Sequence, residues 1–163
     1  MGHVRRMRKL QIKIPPGVDT GSKLRLRAEG EEGERGGPPG DLFVFIYVDP
    51  HEFFSRDGDD VLCQISIGFA QAALGADIEV VTLSGQKALK IPKGVESGDV
   101  LRLKGEGFPR LRSSGRGDQV VQVIVRTPKD LTKRQEELLR EFEEINKKRD
   151  KEEEEGWRKA VKR

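Results

Sequence analysis

Cysteine is almost missing from this chain: Cys63 is the only one. No internal disulfide can form, and a zinc site built from closely spaced thiolates is excluded. Histidine is nearly as scarce. His3 and His51 lie in unrelated contexts, neither beside a serine or cysteine in a nucleophile pattern. No hydrophobic run approaches the ~20 residues of a membrane helix, and no apolar signal-peptide core stands at the N-terminus. The cytosol is therefore the default compartment, with no membrane partner expected. Apolar residues make up 34% of the chain against 36% charged, so any core must be thin. Two small sandwiches suit that composition better than one large globule, because small domains bury proportionally less surface. An excess of one charge is lacking too: 31 basic residues face 28 acidic ones, for a net +3. That balance argues against a dedicated nucleic-acid binder, which carries a basic face. The clusters Arg5-Arg6-Arg8-Lys9 and Arg158-Lys159-Lys162-Arg163 are terminal and read as solvated tails.

What the chain does have is one statement made twice. KIPPGVDTGSKLRLRAEG, beginning at Lys13, returns as KIPKGVESGDVLRLKGEG, beginning at Lys90, at a constant offset of 77 residues. The register survives the following loop, since Gly40-Asp41 falls on Gly117-Asp118, and Val44 and Val48 fall on Val121 and Val125. A long-period repeat implies one small structural unit used twice. The second copy carries a leading segment, 50–86, that the twelve residues before Lys13 are too few to match. Residues 1–49 thus read as the tail of a unit that starts upstream, and the chain as a fragment of a longer parent.

Local patterns give the elements. Leu10, Ile12 and Ile14 alternate with polar residues, the period of a half-buried strand, and Pro15-Pro16-Gly17 ends it. Leu24 and Leu26 alternate with Arg25 and Arg27 in a second strand. Residues 29–40 are glycine-, proline- and charge-rich, a mobile loop. LFVFIYV at 42–48 is continuously apolar, which predicts a strand covered on both faces. In the second copy, Asp57-Gly58-Asp59-Asp60 turns into a strand over 61–67, where Val61, Cys63, Ile65 and Ile67 share a face and Cys63 is a small core residue. Alanine-rich 69–74 reads as a short helix stopped by Gly75. Strands over 78–83 and 86–91 flank a Ser84-Gly85 hairpin signal, and strands over 100–104 and 119–125 follow a similar logic. His51 leads the first turn of this copy and reads as structural.

After Thr127-Pro128 the period changes. Thr132 and Gln135 form a capping box, and Leu138, Leu139, Phe142 and Ile145 mark one face at helical spacing. That stripe packs either on its own sandwich or against a second protomer; the spacing does not choose. Gly156 is expected to break the helix, leaving 151–163 a charged, disordered tail. Neither phosphate-loop nor catalytic patterns emerge: the glycine-rich 104–118 stretch lacks the GKS/GKT ending and opens no helix. Arg116-Gly117-Asp118 spells an adhesion tripeptide, but Gly-Asp recurs at Gly40-Asp41 and so belongs to the fold.

The repeated I-P-x-G-V-x-x-G-x-x-L-R-L-x-x-E-G, with GGPPGDLFVFIYV, HEFFSRDGDDV, AQAALG and TPKDLTKRQEELLREF, resembles the C-terminal region of the DnaJ-type co-chaperones over about residues 4–145. Gly2-His3-Val4 resembles the exit of that family's cysteine-rich zinc module. The resemblance implies a mainly β fold: residues 1–49 as the C-terminal half of a first client-binding β-sandwich, 50–128 as a second, and 129–150 as a dimerisation helix. It implies a non-enzymatic, ATP-independent role, holding unfolded polypeptide clients and presenting them to a DnaK-type chaperone, as a homodimer. By position it carries over Phe54 of the H-x-x-F motif as client-binding. Ile12, Ile14, Leu24 and Leu26 are groove lining by pattern, with ordinary core as the alternative. Leu138, Leu139, Phe142 and Ile145 become dimerisation residues. The departures are no His-Pro-Asp tripeptide and no CxxCxGxG repeat, so no cofactor is expected here, although the parent family usually binds zinc in the module missing from this sequence. Two other readings stay open: a structural dimerisation module without client activity, and a basic-tailed nucleic-acid-associated β-protein.

Overall fold

A computed structural model describes residues 7–161. Gly2-His3-Val4, Arg5, Arg6, Lys162 and Arg163 lie outside the described residues. The chain divides into two compact units, Met1–Val125 and Arg126–Arg163.

The first unit opens with the front copy of the repeat. Its strands β1 (Lys23–Leu26) and β2 (Leu42–Phe45) form an antiparallel hairpin, with Leu24 opposite Val44. The back copy is complete. β3 (Ser55–Asp57) turns at Gly58 into β4 (Asp60–Gly68), followed by helix α1 (Phe69–Leu74). β5 (Ala76–Thr82) and β6 (Gly85–Ile91) make a second hairpin, and β7 (Val100–Leu103) and β8 (Gln119–Arg126) complete a four-stranded sheet in the order β3-β4-β8-β7. That sheet faces the β5–β6 hairpin across one core: Cys63 and Ile67 from β4, Ala72 from α1, Val80, Leu89 and Ile91 from the hairpin, Val121 and Val123 from β8. The mainly β, sandwich-like architecture followed by a helix is the expected one. The hairpin turn falls on Leu83-Ser84, one residue earlier than expected, because Thr82 pairs with Gly85.

Two polar side chains are buried here, Thr82 and Gln119. Gln119 is fully buried, its Nε2 donating to Val81 O at 2.9 Å and to Cys63 Sγ at 3.2 Å. Cys63 is core, as its strand parity required, and burial pushes its thiol pKa up.

The two copies agree where the contacts are local. Gly30 N–H donates to Gly40 O at 2.8 Å, and Gly107 N–H to Gly117 O at the same distance. Asp41 accepts from Ala28 N–H and Asp118 from Gly105 N–H, so the repeated Gly-Asp closes the loop in both. Arg116 also serves the fold, its Nε donating to Gly107 O.

They differ where a partner strand is needed. The strand expected over 10–14 is not one: those residues have no ladder. Their counterparts in the back copy lie in β6, where Leu89 is 6% and Ile91 1% exposed, paired to β5. Ile14 is 59% exposed. The described part of the front copy has no counterpart of β5, and an alternating segment without a hydrogen-bonding neighbour does not become a strand. The expected double-sided cover of 42–48 is also corrected. β2 ends at Phe45, and Phe43, Phe45 and Tyr47 are exposed, because only the alternate residues Leu42, Val44 and Ile46 face inward.

The copies are joined by Arg56 of β3. Its Nη1 donates to Val18 O at 2.6 Å and Nη2 to Gly17 O at 2.7 Å, while Nε donates to Gly58 O at 2.8 Å. Asp19 Oδ2 lies 3.5 Å from the same Nε, and the guanidinium carbon sits 4.2 Å from the centre of the Phe108 ring. Gly17 is required at this joint. Its φ is +88°, and a Cβ there would stand 2.1 Å from Pro109 O.

The second unit is dominated by α2 (Lys133–Val161). The capping box forms: Gln135 N–H donates to Thr132 Oγ1 at 3.3 Å, and Thr132 N–H to Gln135 Oε1 at 2.9 Å. The disordered tail expected from 151 is corrected, since the helix continues to Val161 through Gly156. A mid-helix glycine costs only ~1 kcal/mol. Ion pairs one turn apart, Glu143–Lys147, Arg149–Glu153 and Glu154–Arg158, bracket it on the N-terminal side and across it.

Candidate functional site

The four-stranded sheet has an outer face as well as a core face. Alternation along each strand turns Ser55, Leu62, Gln64, Val100, Val120 and Gln122 outward. There they line an open cleft of about 580 Å³, with Phe53 at its end. Four of the lining side chains are apolar: Phe53, Leu62, Val100 and Val120. Across the floor, Gln64 Nε2 donates to Gln122 Oε1 at 2.6 Å, tying β4 to β8. Glu52 is the one ionisable side chain on the rim. Such a surface offers van der Waals contact and a few amide groups, with Glu52 at its rim and the buried Cys63 beneath its floor.

The turn leading into β3 sets the aromatic end. His51 Nδ1 accepts from both Phe53 N–H, at 3.0 Å, and Phe54 N–H, at 3.2 Å. The imidazole therefore caps the turn, as the structural reading of His51 required. The capped turn sends the two rings apart, edge to face with centroids 4.8 Å apart. Phe54 goes inward and packs against the core cluster, whereas Phe53 is 43% exposed and lines the cleft.

The other sequence-derived candidates are scattered. Leu24 and Leu26 are half-buried on the inner side of β1, Ile12 is half-buried in the irregular stretch before it, and Ile14 is exposed. None of the four lines the cleft. On α2, Leu138, Phe142 and Ile145 are 47%, 48% and 58% exposed, with Leu139 half-buried, so the stripe forms along the helix as spaced.

Leu62, Val100, Val120 and Phe53 escaped the sequence reading. The signal was available: each strand residue has an apolar side chain on the parity that should be polar in a one-sided sheet. Among the described residues, no group of three or more His, Cys, Asp or Glu could hold a metal, and no helix is long and apolar enough to cross a membrane.

Comparison with known proteins agrees with this arrangement. The family described as DnaJ C terminal domain matches residues 3–128. Among curated relatives, the "Chaperone protein DnaJ" of Parageobacillus thermoglucosidasius is 54% identical over 144 residues, covering 88% of this chain and 38% of the relative. That of Syntrophobacter fumaroxidans is 51% identical over 156 residues, covering 96% and 41%. That of Halalkalibacterium halodurans is 48% identical over 162 residues, covering 99% and 44%. The chain thus spans less than half the length of these relatives, matching their C-terminal part. A repeated β-unit with its Gly-Asp loop closure, a capped H-x-x-F turn and a following helix agree with that match, and the chain belongs to the DnaJ C-terminal domain family.

Proposed function

We propose that this chain binds non-native polypeptide without ATP, dimerises through α2, and presents its clients to a DnaK-type chaperone in the cytosol. The observation that carries the reading is the apolar cleft across the outer face of the second copy, ended by Phe53. β3 and β7 are the outer strands of that sheet. An extended client pairing its main chain along one of them gains sequence-tolerant affinity, while alternate side chains settle on Leu62, Val100 and Val120. Each contact is weak. Two clefts on one dimer raise the effective concentration, so a long unfolded chain is held at two points. The stripe of Leu138, Leu139, Phe142 and Ile145 supplies the apolar surface that such a dimer would cover. The role is non-enzymatic, since holding a chain requires no bond to be made or broken.

The test is suppression of aggregation of a chemically denatured reporter protein, without nucleotide. The intact chain is expected to suppress light scattering, and Phe53→Ala to weaken that several-fold with an unchanged melting temperature. Equal suppression by Phe53→Ala and the parent, or none by either, would overturn the assignment of the cleft.

A further inference from the structure

The repeat is an internal control for what the fold requires, and one loop of the back copy goes beyond it. Loops 29–40 and 106–117 are equal in length and close alike, through a glycine N–H to a glycine O and through the Gly-Asp pair. Between those closures the sequences part. Where the front copy has Gly33, Gly36 and Gly37, the back copy has Arg110, Ser113 and Ser114. Loop closure therefore demands neither the serines nor the arginine before them. Among the serines of the chain, Ser113 alone has an arginine three residues before it, and Arg112 precedes it directly.

The structure presents this tip to solvent. Residues 110–116 are all exposed. Pro109 and Arg116 form a bridge, Arg110 N–H donates to Gly115 O at 3.1 Å, and Gly117 N–H donates to Phe108 O at 3.0 Å. Ser113 and Ser114 thus stand at the end of a closed loop. Other serine hydroxyls serve the fold: Ser22 Oγ accepts Asp19 N–H, Ser97 Oγ accepts Val125 N–H, and Ser84 Oγ donates to Glu106. Those of Ser113 and Ser114 make no hydrogen bond among the described residues. The neighbouring charges are weakly engaged. Arg110 Nε lies 3.7 Å from Asp59 Oδ2 with its side chain 52% exposed, and Arg112 has no ion pair among the described residues.

We infer that Ser113 is a phosphorylation site, modified by a nucleoside-triphosphate-dependent protein kinase that reads the arginine three residues before it. In the transfer, Ser113 Oγ forms a bond to the γ-phosphorus and the bond from that phosphorus to the β,γ-bridging oxygen breaks. The hydroxyl proton passes to the kinase's base, and the nucleoside diphosphate leaves. The phosphate brings a charge of about −2 and three acceptor oxygens to a tip that holds two available guanidinium groups. Arg110 exchanges its distant contact with Asp59 for a charge-assisted bond to the phosphate, and Arg112 adds a second. Because Arg110 stands at the base of the loop and Ser113 at its end, the pair clamps one to the other. The clamp bears on the joint between the copies, since Phe108 stacks on Arg56 and Pro109 O lies against Gly17. The site does not rest on client capture at the cleft.

The experiment uses the full chain, ATP and the catalytic subunit of an arginine-directed protein kinase, with the product mapped by mass spectrometry. One phosphate is expected, on Ser113. Ser113→Ala should abolish it and Arg110→Ala should slow it about tenfold, both with an unchanged melting temperature. In the phosphorylated chain, hydrogen exchange at the Arg110 and Gly117 amides should slow about tenfold, and Gly21 and Ile46 should shift in the same direction through the joint. Failure of the chain to accept phosphate where a free peptide of residues 106–118 does would show that the loop is not presented, and would overturn the proposal. Phosphate on any other residue, or a rate indifferent to Arg110→Ala, would do the same. Exchange that stays level or quickens at these amides would overturn the clamp.

Discussion

Arg56→Ala offers the sharpest test of how the two copies hold together. The side chain is 17% exposed and donates three hydrogen bonds, two of them to main-chain carbonyls of the front copy. A hydrogen bond from a charged donor contributes about 1.5–3 kcal/mol, but three from one group are not additive. The stacking on Phe108 adds about 1 kcal/mol. Partial exposure lets water replace some of what is lost, which leaves an expected cost of about 3 kcal/mol. Arg56→Lys keeps the charge but cannot fork to Gly17 O and Val18 O together, so it should recover only a minor share. Because these bonds anchor the turn that precedes β1, the loss should appear first in the front hairpin. Native-state hydrogen exchange at Gly21 and Ile46, whose amides bond across that hairpin, should accelerate about a hundredfold. Amides of β4 and β8 should change far less. A change below about threefold at Gly21 and Ile46, or rescue by lysine to the parent level, would refute the joint as described.

Two further expectations follow from the same structure. Ile91→Ala should cost about 2–5 kcal/mol in urea unfolding, while Ile14→Ala, its exposed counterpart, should cost less than about 0.5 kcal/mol; similar losses would mean that the front segment is packed after all. Acid should also destabilise the fold. In the β unit three carboxyl pKa values are lowered: Asp41 chiefly by the Ala28 N–H and then Arg25, Asp60 by the Asp118 N–H and then Arg102, Glu106 by the Ser84 hydroxyl and then Lys87. On α2, Lys147 lowers that of Glu143. A lowered folded-state pKa gives stability that is complete above the unfolded-state value and is lost as pH falls through the folded one. The melting temperature should therefore be level from pH 7 to 5 and drop below about pH 4. Asp41→Asn should flatten part of that drop, and an unaltered profile would count against its paired state.

Local chemistry was legible from residues alone wherever its partners lie close in the chain. The capping box of Thr132 and Gln135, the turn after Asp57, the alanine-rich helix before Gly75 and the loop closed by Gly-Asp all join groups within one or two turns, or across one short loop. The fold class followed from the repeat. The candidate site was less legible, since Phe53 and Phe54 are adjacent and equally aromatic. Which ring enters the core depends on His51 accepting both amides, and that is a geometric outcome.

The clearest division lies between Ile14 and Ile91. The same tripeptide, Lys-Ile-Pro, surrounds both, so sequence alone determined that each segment alternates and that each is followed by the same turn. Only the tertiary structure decided that one is a buried strand and the other exposed coil. A strand is stabilised by the neighbour it bonds to, and β5 lies beside the second copy alone. Arg56 is a like case: no periodicity marks it, because its three carbonyl partners come together only once the front turn has folded onto β3.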